Sequence, residues 1–151
     1  MIKRVFLGGS LLILVTFLLL RSVDNTWKQS EVCFEGHCFE VELAATAKEK
    51  EMGLMFRESL NSNKGMLFIY EQPGIYPFWM KNTLVPLDII WISEDFKVVF
   101  INENTQPCLE KECVLVEPNR QAKYVLEIKG GTSTRIGLRV GKEVSVNIWQ
   151  D

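Results

Sequence analysis

Histidine is almost missing from this chain: His37 is its one imidazole in 151 residues. With a single histidine set in a predicted hairpin loop beside cysteines, no Ser-His or Cys-His relay and no histidine-rich metal set can be assembled. Phosphate-cradling glycine loops are absent as well, and the ten glycines nowhere take the spacing of a dinucleotide fingerprint. Basic charge is scarce. Lys and Arg number 17 against 19 Asp and Glu, and Lys3, Arg4 and Arg21 flank the first apolar stretch, which leaves 14 basic and 19 acidic residues, or −5, over positions 22 to 151. A nucleic-acid partner is thereby excluded, since contacting phosphates needs a basic stripe. Nor is there length for a second domain, an internal repeat, a heptad pattern or a low-complexity segment. No resident cofactor or metal is expected from this inventory.

Long apolar runs are limited to one. Val5 to Leu20 is uncharged, with Ser10 and Thr16 as its only polar interruptions, and it is preceded by Lys3 and Arg4 and followed by Arg21. Sixteen residues at about 1.5 Å each span roughly 24 Å, short of a hydrocarbon core of about 30 Å, but the flanking basic side chains can snorkel to close the gap. A cleavable signal would present small residues near its end, where this chain has Leu19, Leu20 and Arg21. The reading is a signal anchor over residues 1–21, a linker over 22–30 and a single domain over 31–151. The amino terminus is expected inside and the domain outside the membrane, with secretion after signal cleavage as the alternative.

Four cysteines fall in two pairs of equal spacing, Cys33 with Cys38 and Cys108 with Cys113. In an oxidising compartment, an even number at short spacing points to two local disulfides. A structural metal site of four thiolates with His37 is the competing reading, although zinc pairs more often show two-residue spacing.

Period-two alternation dominates the rest. Val32–Phe34 and Cys38–Leu43 predict a hairpin about Glu35-Gly36-His37. Thr46 with Glu49 predicts a capped helix over Ala47 to Met52 that Gly53 ends. Met66–Tyr70 reads as a buried strand, Phe78–Met80 after Pro77 as an edge strand or strand start, and Leu87–Ile92 with Lys97–Asn102 as a hairpin. Asn102 to Asn119 is expected to be a surface excursion, Ala122–Ile128 a strand, Thr132–Ile136 one helical turn, and Val144–Trp149 the last strand. The fold class is therefore mainly β with one or two short helices.

Into this apolar pattern the segment Phe78-Trp79-Met80-Lys81-Asn82-Thr83-Leu84-Val85-Pro86-Leu87-Asp88 sets an amine, an amide, a hydroxyl and a carboxylate. Buried polar groups without partners cost roughly 1 to 3 kcal/mol each, so such groups either pair internally or face a ligand. Phe78, Trp79, Met80 and Leu87 suit a β core, and Asn82 with Thr83 suits a tight turn. Asp88 and Glu127 each sit within apolar strands, and Arg57 or Lys81 is the expected partner of Asp88. Either these four charges form internal ion pairs, or Arg57, Trp79, Lys81, Asn82, Thr83, Asp88 and Glu127 line one ligand site bordered by Phe78 and Met66.

The motifs Gly53-Leu54-Met55-Phe56-Arg57, Gly65-Met66-Leu67-Phe68, Phe78-Trp79-Met80-Lys81-Asn82-Thr83, Pro86-Leu87-Asp88, Tyr124-Val125-Leu126-Glu127 and Gly130 resemble, in this order, the domain of unknown function 192 family of bacteria and archaea. The resemblance covers about Val41 to Ile148 and implies a compact all-β, barrel-like or sandwich domain, often behind a signal sequence, with no established activity. Some members share the Pro107-Cys108 and Cys113 arrangement, whereas Cys33 and Cys38 lie outside the common pattern, so their pairing rests on spacing. The functional expectation is a binding module of the cell envelope for a small ligand or another envelope protein. The alternatives are a hydrolase-like enzyme using Asp88 and Glu127 as acid and base, and the cysteine metal site.

Overall fold

A computed structural model describes residues 29–149. The expected membrane segment and most of the linker lie outside the described residues, and among those described no helix is long and apolar enough to cross a membrane. Seven strands form one sheet: β1 (Glu31–Phe34), β2 (His37–Ala44), β3 (Lys64–Gly74), β4 (Leu87–Ile92), β5 (Val98–Thr105), β6 (Ala122–Lys129) and β7 (Ser145–Asn147). Their order across the sheet is β5-β4-β6-β3-β2-β1-β7. Two short helices complete it, α1 (Ala47–Met52) and α2 (Thr132–Ile136).

The chain pattern explains most of this. Glu35 (φ 46°) and Gly36 (φ 89°) take the left-handed conformations of a two-residue hairpin turn, which places His37 at the start of β2 rather than in the loop. Cys33 and Cys38 then stand directly opposite and are disulfide-bonded. Pairing of β2 with β3 is parallel, which requires a crossover. That crossover carries α1, whose Thr46 side chain accepts from Glu49 N–H while the Glu49 carboxylate accepts from Thr46 N–H. β3 can pair closely with β6 only because residue 65 is glycine: a Cβ there would sit 2.4 Å from the Glu127 carbonyl oxygen.

Residues facing one another across paired strands share a sheet face, and the register separates two cores. One contains Val41, Leu67, Ile90, Leu126 and Ile128 together with Val98 of β5 and Val144 beside β7, so it joins material from both sheet edges. Those edges approach one another through Val98 N–H to Lys142 O (2.9 Å), Gly141 N–H to Val98 O (2.7 Å) and Val144 N–H to Phe96 O (2.8 Å). The sheet is thus a half-barrel around this core. The second core, on the opposite face, holds Met66, Phe68, Leu87, Ile89, Trp91 and Val125, covered by Leu54, Leu60, Phe78 and Met80 from the connecting segments.

Two expectations need correction here. Phe78–Met80 is not a strand of the sheet; the stretch from Phe78 to Lys81 makes only isolated bridges, Phe78 to Val116 and Lys81 to Cys108. Trp79 is not core, being 42% exposed, while its neighbours Phe78 and Met80 are buried. In this extended segment alternate side chains point opposite ways, so Phe78 and Met80 pack onto the second core and Trp79 turns outward.

Candidate functional site

The row Glu42–Met66–Glu127–Ile89 runs across β2, β3, β6 and β4 on the face of the second core. Two of its four side chains are carboxylates with opposite circumstances. Glu42 takes a bidentate grip from Arg57, at 2.5 and 2.7 Å, and the Arg57 hydrogen bond holds its carboxyl below the usual range. Glu127 lies deeper: it is 5% exposed and its Oε2 has no hydrogen-bond partner. Burial pushes its pKa up to about 8, against the attraction of the Arg57 guanidinium. Arg57 is committed to Glu42, so its pull on Glu127 is only long-range.

Above Glu127 sits a cavity of about 70 Å³ lined by Gly53, Leu54, Phe68, Phe78, Trp79 and Thr83, among others. Gly53 caps α1 with φ 48°, and a Cβ there would lie 3.3 Å from Phe68 Cζ and 3.8 Å from Glu127 Oε2. The cap therefore leaves room over the carboxyl that another residue would fill. A groove of about 320 Å³ adjoins it, sharing Glu51, Met52, Met55 and Trp79 and adding Lys48, Phe56, Lys81 and Asn82. It is open and its walls are mixed: the apolar side chains of Met52, Phe56 and Trp79 are all exposed beside Lys48, Glu51 and Lys81. The Lys81 ammonium lies 5.1 Å from the Trp79 ring and that of Lys50 lies 4.6 Å from Tyr70.

Asn82 ties the walls together. Its backbone takes a left-handed φ of 53°, its carbonyl accepts from Phe56 N–H (2.8 Å), its N–H donates to Cys108 O (3.0 Å), and its Nδ2 approaches Met55 Sδ at 3.9 Å. Phe56 is itself left-handed, φ 64°, a costly conformation for a bulky residue that persists only where the surroundings enforce it. The Cys108–Cys113 disulfide closes the loop behind this segment, with Cys108 N–H donating to Met80 O at 3.1 Å. As expected for a turn, the buried Thr83 donates through N–H to Met80 O and through Oγ1 to Lys81 O.

Asp88 is elsewhere. It faces Ile128 and Gly65 across the sheet, whereas Glu127 faces Ile89 and Met66, so the two carboxyl groups point to opposite faces. An acid–base pair of Asp88 with Glu127 is ruled out by this register. The expected partnership of Asp88 with Arg57 or Lys81 is also corrected: Asp88 accepts from the backbone N–H groups of Asn104 (2.7 Å), Gly131 (2.8 Å) and Ser133 (2.6 Å). Two of these open α2, whose N-cap Gly131 has no side chain to serve them. Asp88 is a structural clasp between β4, β5 and α2.

The four-thiolate metal reading fails for a chemical reason: all four cysteines are in disulfides, which offer no thiolate. Of the residues singled out from sequence, Trp79, Thr83 and Glu127 line the cavity, Trp79, Lys81 and Asn82 line the groove, Arg57 influences Glu127 from a neighbouring pair, and Asp88 is separate. The reading from sequence missed Met52, Gly53, Met55 and Phe56. Their signal was available, since a capped helix ending in glycine and followed by Leu54-Met55-Phe56 places large apolar side chains in a loop.

The model of the family described as uncharacterized ACR, domain of unknown function 192, matches residues 30–146. Among solved structures, the fold is similar to a protein of unknown function from Novosphingobium aromaticivorans DSM 12444, with 37% identity over 76% of this chain and 83% of that one and a TM-score of 0.71. It is also similar to a protein of Sinorhizobium meliloti 1021, provisionally described as a transcription regulator, with 31% identity over 78% of this chain and 92% of that one and a TM-score of 0.71. No curated protein matches the chain.

Proposed function

The chain belongs to the domain of unknown function 192 family, and from that premise we propose that it is a binding module for a small ligand, with the Glu127 cavity and the groove beside Trp79 as its site. The observation that carries this reading is the unpartnered, buried Glu127 carboxyl beneath a cavity that adjoins an exposed Met-aromatic groove. Ligand sites have this make-up, mostly apolar walls with a few convergent polar groups and a perturbed titration. In the same reading residues 1–21 anchor the protein in the membrane, 22–30 are a linker, and 31–151 form a domain held outside, where two disulfides are stable. The transcription role given for the Sinorhizobium protein is not carried over, because residues 22 to 151 carry −5 and have no basic stripe.

Trp79→Ala tests the site. Thermal unfolding of the full chain is followed against a fragment set of amines, carboxylates and neutral polyols. A fragment should stabilise the native protein and leave the folded Trp79→Ala variant unmoved; equal stabilisation of both would place binding elsewhere. Membrane fractionation tests the anchor, since a chain recovered whole in the soluble cytoplasmic fraction would contradict it.

A further inference from the structure

We propose that the Glu127 cavity receives the primary ammonium head of a ligand whose apolar body lies along Met52, Phe56 and Trp79. The inference rests on the binding-module reading and names the ligand's chemistry. Its first support is charge. Of the basic groups nearby, Arg57 is paired with Glu42, Lys50 at the cavity wall lies over the Tyr70 ring, and Lys81 and Lys48 line the groove rather than the cavity, Lys81 over the Trp79 ring. Tyr70 stacks on Tyr76 at 3.5 Å, and Glu51 at the cavity wall carries the same charge sign as Glu127. Among the described residues none donates a hydrogen bond to Glu127 Oε2, and the one guanidinium that attracts it, Arg57, is held by Glu42.

The second support is shape and wall chemistry. At about 70 Å³ the cavity is about half the size of the roughly 150 Å³ cavity that accepts benzene. It has room for an ammonium and one or two methylenes but not for a ring or a guanidinium with its stem. Phe68, Phe78 and Trp79 line it, so the walls around the carboxyl are largely apolar and leave it poorly solvated. The adjoining groove, with Met52, Met55 and Phe56, then takes an aliphatic chain. A free alkylamine and a lysyl side chain of a peptide share this chemistry.

Binding carries a proton signature. Below a pKa of about 8 the Glu127 carboxyl is protonated, and seating an ammonium beside it drives its proton to solvent. The apparent affinity should therefore rise about tenfold per pH unit up to about 8 and level off until the amine itself titrates near 10.4.

The test is calorimetric titration of the full chain in detergent with n-hexylamine, 1-hexanol, hexanoate and a lysine-containing tripeptide, at pH 6.5 in two buffers of different ionisation enthalpy. The proposal expects hexylamine or the tripeptide to bind with release of close to one proton. In Glu127→Gln, binding should weaken by at least about tenfold, the scale of losing a desolvated charge partner, and the proton release should vanish. Tighter binding of the tripeptide than of hexylamine would identify a peptide source, and the reverse a free amine; both support the proposal. Hexanol binding as tightly as hexylamine, or Glu127→Gln binding unchanged, overturns the ammonium assignment and leaves the groove as a site. Preference for hexanoate also overturns it. No binding heat with any probe in either buffer, and no shift of thermal unfolding by any of them, overturns both readings. Trp79→Ala, altered only at an exposed side chain, serves as the folded control and should lose hexanol and hexylamine alike.

Discussion

Replacing Glu127 by glutamine should stabilise the protein at neutral and alkaline pH. Glutamine keeps the shape and removes the ionisable group. Wild-type Glu127 titrates at about 8 in the folded state against an ordinary 4.5, because burial penalises its charged form. Between those values the folded protein holds a proton that the unfolded chain has released, so stability falls as pH rises, by about 1.4 kcal/mol per pH unit. The accumulated loss is about 3 kcal/mol at pH 7 and about 4 kcal/mol at pH 8. Below 4.5 this group contributes no slope. Glu42, Glu49 and Asp95 have lowered pKa values from their hydrogen bonds and act in the opposite sense, losing stability as pH falls through the acid range. They are common to both proteins and cancel in the difference. The assay is guanidinium unfolding of wild type and Glu127→Gln at half-unit steps from pH 4.5 to 8.5, with disulfides intact. The gap between the two curves should open steadily from pH 5 to 8 in favour of glutamine. Parallel curves would show that Glu127 ionises freely in the folded state, and the account of an unpartnered buried carboxyl would be wrong.

Three further outcomes are expected. Asp88→Asn sets an amide NH2 against backbone N–H donors now served by a carboxylate, and chemical denaturation should show a loss of about 2 to 4 kcal/mol with the α2 amides exchanging faster. Gly65→Ala drives a methyl into the Glu127 carbonyl and should cost at least about 3 kcal/mol or abolish folding, read by the same method. Reducing both disulfides, each closing a loop of sequence separation 5, should cost about 2 kcal/mol apiece in the chain-entropy treatment, with differential scanning calorimetry as the check.

The strands were legible because each carries its signal locally. The helix Ala47–Met52 could be read from Thr46 and Glu49, and the strand Leu87–Ile92 from a run apolar at every position but Asp88. The two disulfides followed from the equal short spacing of the pairs and an expected oxidising compartment. The Trp79 orientation was not legible, since burial in a segment outside the sheet depends on which loop packs over it, and that loop comes from Val116 and Cys108, about thirty residues on. The fate of Asp88 and Glu127 needed register. Both read as carboxylates in apolar strands, and only the pairing of Asp88 with Ile128 and of Ile89 with Glu127 puts them on opposite faces. One then finds three backbone amides, and the other finds none.

The most direct measurement is a carbon-13 NMR titration of the Glu127 side-chain carboxyl, alone and with saturating hexylamine. The midpoint should lie near 8 in the free protein and move downward when the ammonium is present. A midpoint in the ordinary carboxylate range, unmoved by the amine, would contradict a buried, unpartnered Glu127 that receives an ammonium.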